Sequence, residues 1–211
     1  MNKTAIIILA AGNSSRLGRP KQLLPYQGKT LLTHIVTEAL IASLSPVVVV
    51  TGAFQAEISD SLTAEINDPP QGQPIRTVYN PNWETGMASG IVAGLSNVIS
   101  LHPDTEAVII AVCDQPYIST LILRRLVEQH ATSGKGIIAC SYPGSEPTGH
   151  AIVGTPVLFG HTYFKELSAL SGSEGARQLL KNHPDDLITI PFPKGNIDID
   201  TEEDFQNLSG T

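Results

Sequence analysis

The chain opens on an uninterrupted apolar run, Thr4-Ala-Ile-Ile-Ile-Leu9, short and mostly β-branched. That pattern predicts a central parallel strand buried on both faces. Val47 to Val50, a stretch around Thr77 to Tyr79, and Ala107 to Val112 read as further strands. Between them lie segments of helical period. Thr30 to Leu44 carries Leu31, Leu32, Ile35, Val36, Ala39 and Leu40 on one stripe, with Thr30 placed to cap it. Phe54 to Leu62 and Met87 to Ile99 follow as helices, and Asn67-Asp-Pro-Pro-Gln-Gly-Gln-Pro74 is a loop by composition. Strands alternating with helices predict a three-layer αβα sandwich around a mostly parallel, Rossmann-like sheet. There is no internal repeat and no low-complexity tract.

With 211 residues, 41% hydrophobic and 16% charged, the chain suits one domain spanning 1–211. Its net charge of −7 speaks against a nucleic-acid or anionic-membrane partner. Cys113 and Cys140 give no disulfide framework and read as buried, reduced small hydrophobes. No apolar stretch approaches membrane-spanning length, and the first strand is too short to serve as a secretory core, so a cytoplasmic location is expected.

Chemistry concentrates after the first strand, in Leu9-Ala-Ala-Gly-Asn-Ser-Ser-Arg-Leu-Gly-Arg-Pro-Lys21. A loop leaving the carboxyl end of a central strand lies where open α/β sheets bind ligands. Gly12 and Gly18 allow turning and close approach, Ser14 and Ser15 add small donors, and Arg16, Arg19 and Lys21 add charge. Three of the 13 basic residues thus fall within six positions of an acidic chain, which points to a triphosphate cradle; the plain alternative is a surface turn. Two other phosphate loops are excluded. Five residues separate Gly12 from Gly18, and Arg19 follows, whereas a Walker A loop has four and then Gly-Lys-Ser/Thr. Gly28-Lys29-Thr30 lacks the earlier glycine, because Leu23 stands there. No Gly-x-Gly-x-x-Gly is present, and the second strand ends in Thr51-Gly52 with no acid for a ribose, which disfavours NAD.

Asp114 ends a buried strand before Gln115-Pro116, so the chain turns there and aims the carboxylate at the same crevice. Beside a triphosphate it suits Mg²⁺, which takes one or two protein carboxylates with phosphate oxygens; alternatively it caps the helix that Ser119 and Thr120 begin. Asp198 and Asp200 share a side if their segment is extended, although Thr201 to Asp204 also reads simply as a capped surface helix. Asn80 to Gly90 precedes a helix amino terminus, which favours phosphate or a base edge. Trp83 serves there as packing or as a base platform. The segment from Gly144 onward is read as the acceptor side, where Arg177 can fork onto a phosphate. His34 reads as a polar-face residue and His150 as an exposed loop histidine.

Leu9-Ala-Ala-Gly12 with Arg16, Gly18 and Lys21, Asn80-Pro-Asn-Trp-Glu-Thr-Gly86-Met87, Cys113-Asp-Gln-Pro116, Gly154-Thr-Pro156-Val-Leu-Phe159, Gly175-Ala-Arg177 and Asp198-Ile-Asp200-Thr201 occur in one order. Together they resemble the MobA-like nucleotidyltransferases, and the Ala-Ala-Gly form is most similar to the molybdenum cofactor cytidylyltransferase (MocA-like) branch. The resemblance implies the nucleotide-diphospho-sugar transferase type of sheet. Residues 1–116 would then bind nucleotide and 117–211 the acceptor. It implies a nucleotide site of Leu9, Ala10, Ala11, Gly12, Ser14, Ser15, Arg16, Lys21, Asn80, Gly86 and Ser89, with Arg16, Lys21 and Asp114 catalytic. Mg²⁺ would rest on Asp114 and Asp198. Gln115, Pro156, Arg177 and Asp200 would meet the acceptor. The implied reaction moves CMP from CTP to the phosphate of molybdopterin, releasing pyrophosphate, and the product would pass to a molybdenum hydroxylase. Alternatives are another nucleoside triphosphate, a sugar or polyol phosphate acceptor, a non-catalytic cofactor carrier, or an oxidoreductase. Gly90 and Ser173 depart from the branch pattern of serine and aspartate, with Glu174 one position beyond the latter.

Overall fold

The computed structural model describes residues 3–66, 74–144, 151–173 and 175–209. Among these, the strands are β1 (Thr4–Leu9), β2 (Pro25–Tyr26), β3 (Lys29–Thr30), β4 (Val47–Thr51), β5 (Ile75–Tyr79), β6 (Ala107–Val112), β7 (Ile137–Tyr142), β8 (Ile152–Gly160) and β9 (Leu187–Pro191). The helices are α1 (Leu31–Ile41), α2 (Gln55–Glu65), α3 (Met87–Leu101), α4 (Thr120–Ser133), α5 (Phe164–Ser168), α6 (Arg177–Asn182) and α7 (Glu202–Ser209).

Seven strands form one sheet in the order β5-β4-β1-β6-β8-β7-β9, while β2 and β3 make a small hairpin. It is the mostly parallel sheet that the apolar runs predict. The exception is β8, which runs antiparallel to both β6 and β7. Only residues 143–151 join β7 to β8, too few for the crossover that a parallel pair requires. The change of strand direction therefore falls between β6 and β8, whereas the chain order reverses between the parallel neighbours β1 and β6, whose carboxyl ends lie side by side.

Successive side chains of the central strands feed two cores, as a sheet covered on both faces demands. Ile6, Ile8, Val47, Val49 and Ile109 pack with Leu32, Ile35, Ile58, Leu123 and Leu126 on one face. Ile7, Val48, Val50, Val108 and Ile110 meet Ile91, Leu95, Val98, Leu167 and Leu180 on the other. Thr30 caps α1 by accepting from the Thr33 amide. That helix stops at Ile41, short of the predicted Leu44, because Ser43 takes a left-handed φ of 63° and the Leu44 amide folds back to the Ala39 carbonyl. No described helix is long and apolar enough to cross a membrane.

Helix α3 approaches the sheet through Gly94, where a Cβ would stand 2.6 Å from Ile7 Cγ2 and 3.0 Å from Val50 Cγ2. Both neighbours are β-branched and buried, so neither can rotate away. Alanine there improves helix propensity by about 1 kcal/mol but overpacks a filled core, which costs about 1–3 kcal/mol. Gly94→Ala is expected to lower the midpoint of chemical denaturation with an unchanged m-value.

Candidate active site

The cradle is a loop held open from behind. Ala10 donates its amide to the Val50 carbonyl, and Ala53 donates to the Ala11 carbonyl, so the chain leaving β1 is tied to the end of β4. Fully buried Gln22 donates through Nε2 to the carbonyls of Ala10 and Gly12, both at 2.9 Å. Ser14 takes a left-handed φ of 51°, accepts the Lys21 amide on its hydroxyl, and receives the amides of Leu17 and Gly18 on its carbonyl. Of the two glycines, Gly18 supplies a left-handed turn at φ 72°, whereas Gly12 is not left-handed and has open space where a Cβ would lie. Ala10 is buried behind the loop, and Ser14 holds its shape; neither presents a free donor.

The three cradle cations are paired. Lys21 Nζ donates to Asp114 Oδ2 at 2.5 Å and to Asp200 Oδ1 at 3.0 Å. Arg16 reaches Asp200 Oδ2 at 2.8 Å, and Arg19 reaches Glu202 at 2.7 Å while lying over the Phe205 ring. Burial pulls the Lys21 ammonium down, yet the Asp114 and Asp200 carboxylates outweigh it and hold its pKa above the ordinary value.

Asp114 is not a helix cap. The amide and hydroxyl of Thr120 at the start of α4 go instead to the Glu38 carboxylate, and Ser119 makes no side-chain cap bond. Asp114 Oδ1 is buried without a partner. The Ile199 amide donates to the Asp114 carbonyl at 3.0 Å, and the Ile199 side chain is buried with Leu24 and Leu31. That anchor brings Asp198 and Asp200 up to the end of β6. Asp198 is open to solvent on one side and crowded on the other. Partial burial, then the charges of Asp114 and Asp200, push its carboxyl to about 6.

Asn80 and Ser89 brace their loop. Asn80 Nδ2 donates to the Ser89 hydroxyl, which donates to the carbonyls of Asn82 and Gly86. Gly86 is required on two counts: its φ is 118°, and a Cβ would stand 2.6 Å from the Gly172 carbonyl. Trp83 packs on Gly52 and lines a cavity of about 240 Å³ with Leu9, Gly12, Lys21, Asn80 and Asp114. Ser15, Arg16 and Asp200 line a smaller hollow of about 200 Å³ beside it. At Gly90, a Cβ would come within 3.2 Å of Leu9 Cδ2, so serine fits there with a small shift.

A second cavity of about 430 Å³ adjoins the first, with Met87 lining both. Ile91, Ile110, Tyr142, Val157 and Leu180 form its apolar wall, and Arg177 lies at it. Three expected acceptor contacts are placed otherwise. Gln115 is buried, with Nε2 donating to the Gly195 carbonyl and Oε1 accepting from Thr155, so its amide is a brace. Pro156 is buried within β8 between cavity-lining neighbours. Asp200 sits with the cradle cations rather than at this cavity. Gln22 and Gly52 belong to the site without standing in any of the motifs; the signal for Gln22 is a glutamine directly after Lys21, ahead of Leu23 and Leu24. His34 packs edge-on against Tyr26, and no described cluster of His, Cys, Asp or Glu forms a metal-binding group of three. Glu146, His150 and Glu174 lie outside the described residues.

Residues 6–187 match the MobA-like NTP transferase domain. The chain belongs to that family. Nicotine blue oxidoreductase of Paenarthrobacter nicotinovorans is 31% identical over 206 residues, covering 96% of this chain and 94% of that one. Purine catabolism protein PucB of Bacillus subtilis is 28% identical, covering 83% and 80%. Rv0371c of Mycobacterium tuberculosis superposes with a TM-score of 0.76 at 25% identity over 99% of this chain and 97% of that one, and a second structure of it is a manganese complex. Membership of a nucleotidyltransferase family agrees with a sheet whose strand ends bring Lys21 and Asp114 to one cavity.

Asp198 supplies a sign for the pH dependence. A carboxyl raised from 3.8 to about 6 holds its proton in the fold longer than in the unfolded chain. Its favourable contribution is complete below pH 3.8 and is lost as pH rises through about 6. In metal-free solution, Asp198→Asn is therefore expected to be more stable than the parent near pH 8 but not near about pH 4. An equal difference at both values, by urea denaturation, would contradict this.

Proposed function

We propose that this protein is a divalent-metal-dependent cytidylyltransferase that moves CMP from CTP to the phosphate of a molybdopterin-type acceptor. The observation that carries the reading is the Lys21–Asp114 pair on the smaller cavity, which shares Met87 with a larger cavity that has one apolar wall and bears Arg177. The smaller cavity and the cradle suit the nucleotide; the larger one suits a flat apolar body with a phosphate for Arg177 to engage. Residues 1–116 thus serve the nucleotide and 117–211 chiefly the acceptor.

The donor set fits Mg²⁺. Asp114 has a buried oxygen without a partner, and partial burial, then the charges of Asp114 and Asp200, raise the Asp198 carboxyl, so an added cation would favour its ionised form. Asp114 and Asp198 would hold the ion, which supplies charge neutralisation to the phosphates. Arg16 and Lys21 take the triphosphate oxygens. An acceptor phosphate oxygen attacks the α-phosphorus; the new P–O bond forms as the bond to the bridging oxygen breaks, and pyrophosphate leaves with that electron pair. No general base is needed, since the attacking oxygen is already anionic near neutral pH. The protein's part is positioning and electrostatic stabilisation. A molybdenum hydroxylase is the proposed recipient of the product.

Lys21→Ala and Asp114→Ala are each expected to lose about 3 kcal/mol of transition-state stabilisation, on the order of a hundredfold in turnover, while remaining folded. CTP with Mg²⁺ is expected to raise the melting temperature more than GTP, ATP or UTP, since a ligand at a hundred times its Kd adds about 2.7 kcal/mol. Near-normal turnover in both variants, or a preference for another base, would overturn the respective part.

One relative's name favours a second reading, oxidoreductase. Against it stands the missing dinucleotide fingerprint after β1. Stoichiometric flavin or nicotinamide absorbance in the purified protein would establish it.

A further inference from the structure

Asp200 holds both cations that the proposed nucleotide needs. One carboxylate oxygen accepts from Arg16 at 2.8 Å, the other from Lys21 at 3.0 Å. Two oxygens on one centre, bridging a guanidinium and an ammonium, reproduce what a phosphate would present to the same pair. The place is also right, for Asp200 lines the hollow of about 200 Å³ with Gly12, Ser14, Ser15, Arg16 and Lys21.

The backbone of Asp200 is fixed while its side chain is accessible. Asp204 accepts from the amides of Asp200 and Thr201 and from the Thr201 hydroxyl, and the buried Ile199 is bonded to the Asp114 carbonyl. The carboxylate itself is 34% exposed, against 19% for Asp114. Of the two anions on Lys21, Asp200 is therefore the one that can rotate into water at small cost, since exposed ion pairs are weak. Asp114 stays.

We propose that Asp200 is an internal counter-ion standing in for phosphate, which an arriving polyphosphate displaces from Arg16 and Lys21 by a side-chain rotation. Asp200 keeps the cradle cations from repelling one another in the ligand-free protein and sets a threshold that phosphate must overcome. This rests on the cradle being a phosphate site. A consequence is unusual for a residue at an active site: neutralising it should strengthen phosphate binding while leaving binding of the nucleoside alone unchanged.

The test is calorimetric titration of the full chain with inorganic tripolyphosphate and, separately, with cytidine, both in EDTA. Asp200→Asn is expected to bind tripolyphosphate at least about threefold more tightly than the parent, and Asp200→Ser to change in the same direction should the amide prove unsuitable. Glu203→Gln makes the same change in net charge on α7 without touching Arg16 or Lys21, and should differ from the parent by less than about 1.5-fold. Cytidine affinity should be the same in all. An equal gain in Glu203→Gln would reduce the effect to bulk charge and overturn the proposal. So would unchanged or weaker tripolyphosphate binding in both Asp200 variants while Lys21→Ala abolishes it. Undiminished tripolyphosphate binding by Lys21→Ala would instead overturn the cradle reading itself.

Discussion

One ammonium among three carboxylates is the constraint on which the site depends. Asp114 comes from the end of β6, and Asp198 and Asp200 from the segment before α7. They are gathered by the Ile199 to Asp114 hydrogen bond, and Lys21 alone pairs with two of them. Like charges brought so close, with Asp114 and Lys21 mostly buried, repel strongly unless a cation sits between them. Lys21 is that cation. Its side chain reaches the position because Ser14 receives the Lys21 amide and Gln22 grips the carbonyls on the far side of the loop. Glycine, serine and glutamine in the cradle thus serve one end, the placement of a single charge.

The same constraint joins the two halves of the chain. The connections from β1 and β6 depart to opposite sides of the sheet, toward β4 and toward β7, so the crevice opens between their carboxyl ends, where Leu9 and Gly12 share one cavity with Val112 and Asp114. Gly86 permits the backbone of Gly172 to lie against the start of α3, and Met87 then lies between the cavity that holds Lys21 and Asp114 and the one that holds Arg177. Reactants held on either side of such a divider meet in a fixed orientation, which is the main catalytic resource when the attacking group needs no activation.

Most of the fold is legible in the sequence because burial and period speak locally. The β-branched runs of β1, β4 and β6 leave no choice but a doubly covered sheet, and the stripe from Leu31 to Leu40 leaves none but a helix. The antiparallel β8 was not legible, since direction depends on connection length rather than on side chains. For the site, Arg16, Lys21 and Asp114 announce themselves by charge at a strand end. What their charge does in the absence of ligand is not local. Arg16 and Arg19 find partners some 180 residues onward, at Asp200 and Glu202, and only the assembled chain shows that the cradle is neutralised from within. Gln115 misleads for the same reason: a polar residue beside a catalytic carboxylate reads as a ligand contact until the Gly195 carbonyl is found bonded to it.

The most direct test of this account is a double-mutant cycle between Lys21 and Asp114, followed by urea denaturation of Lys21→Met, Asp114→Asn and the pair in metal-free buffer. If Lys21 neutralises Asp114 in a largely dry setting, each single change strands a charge or its partner, and the double variant recovers part of the loss, giving a coupling of at least about 1 kcal/mol. Additive losses, with coupling near zero, would mean that the two groups are independently solvated and that the site is not built around their pairing.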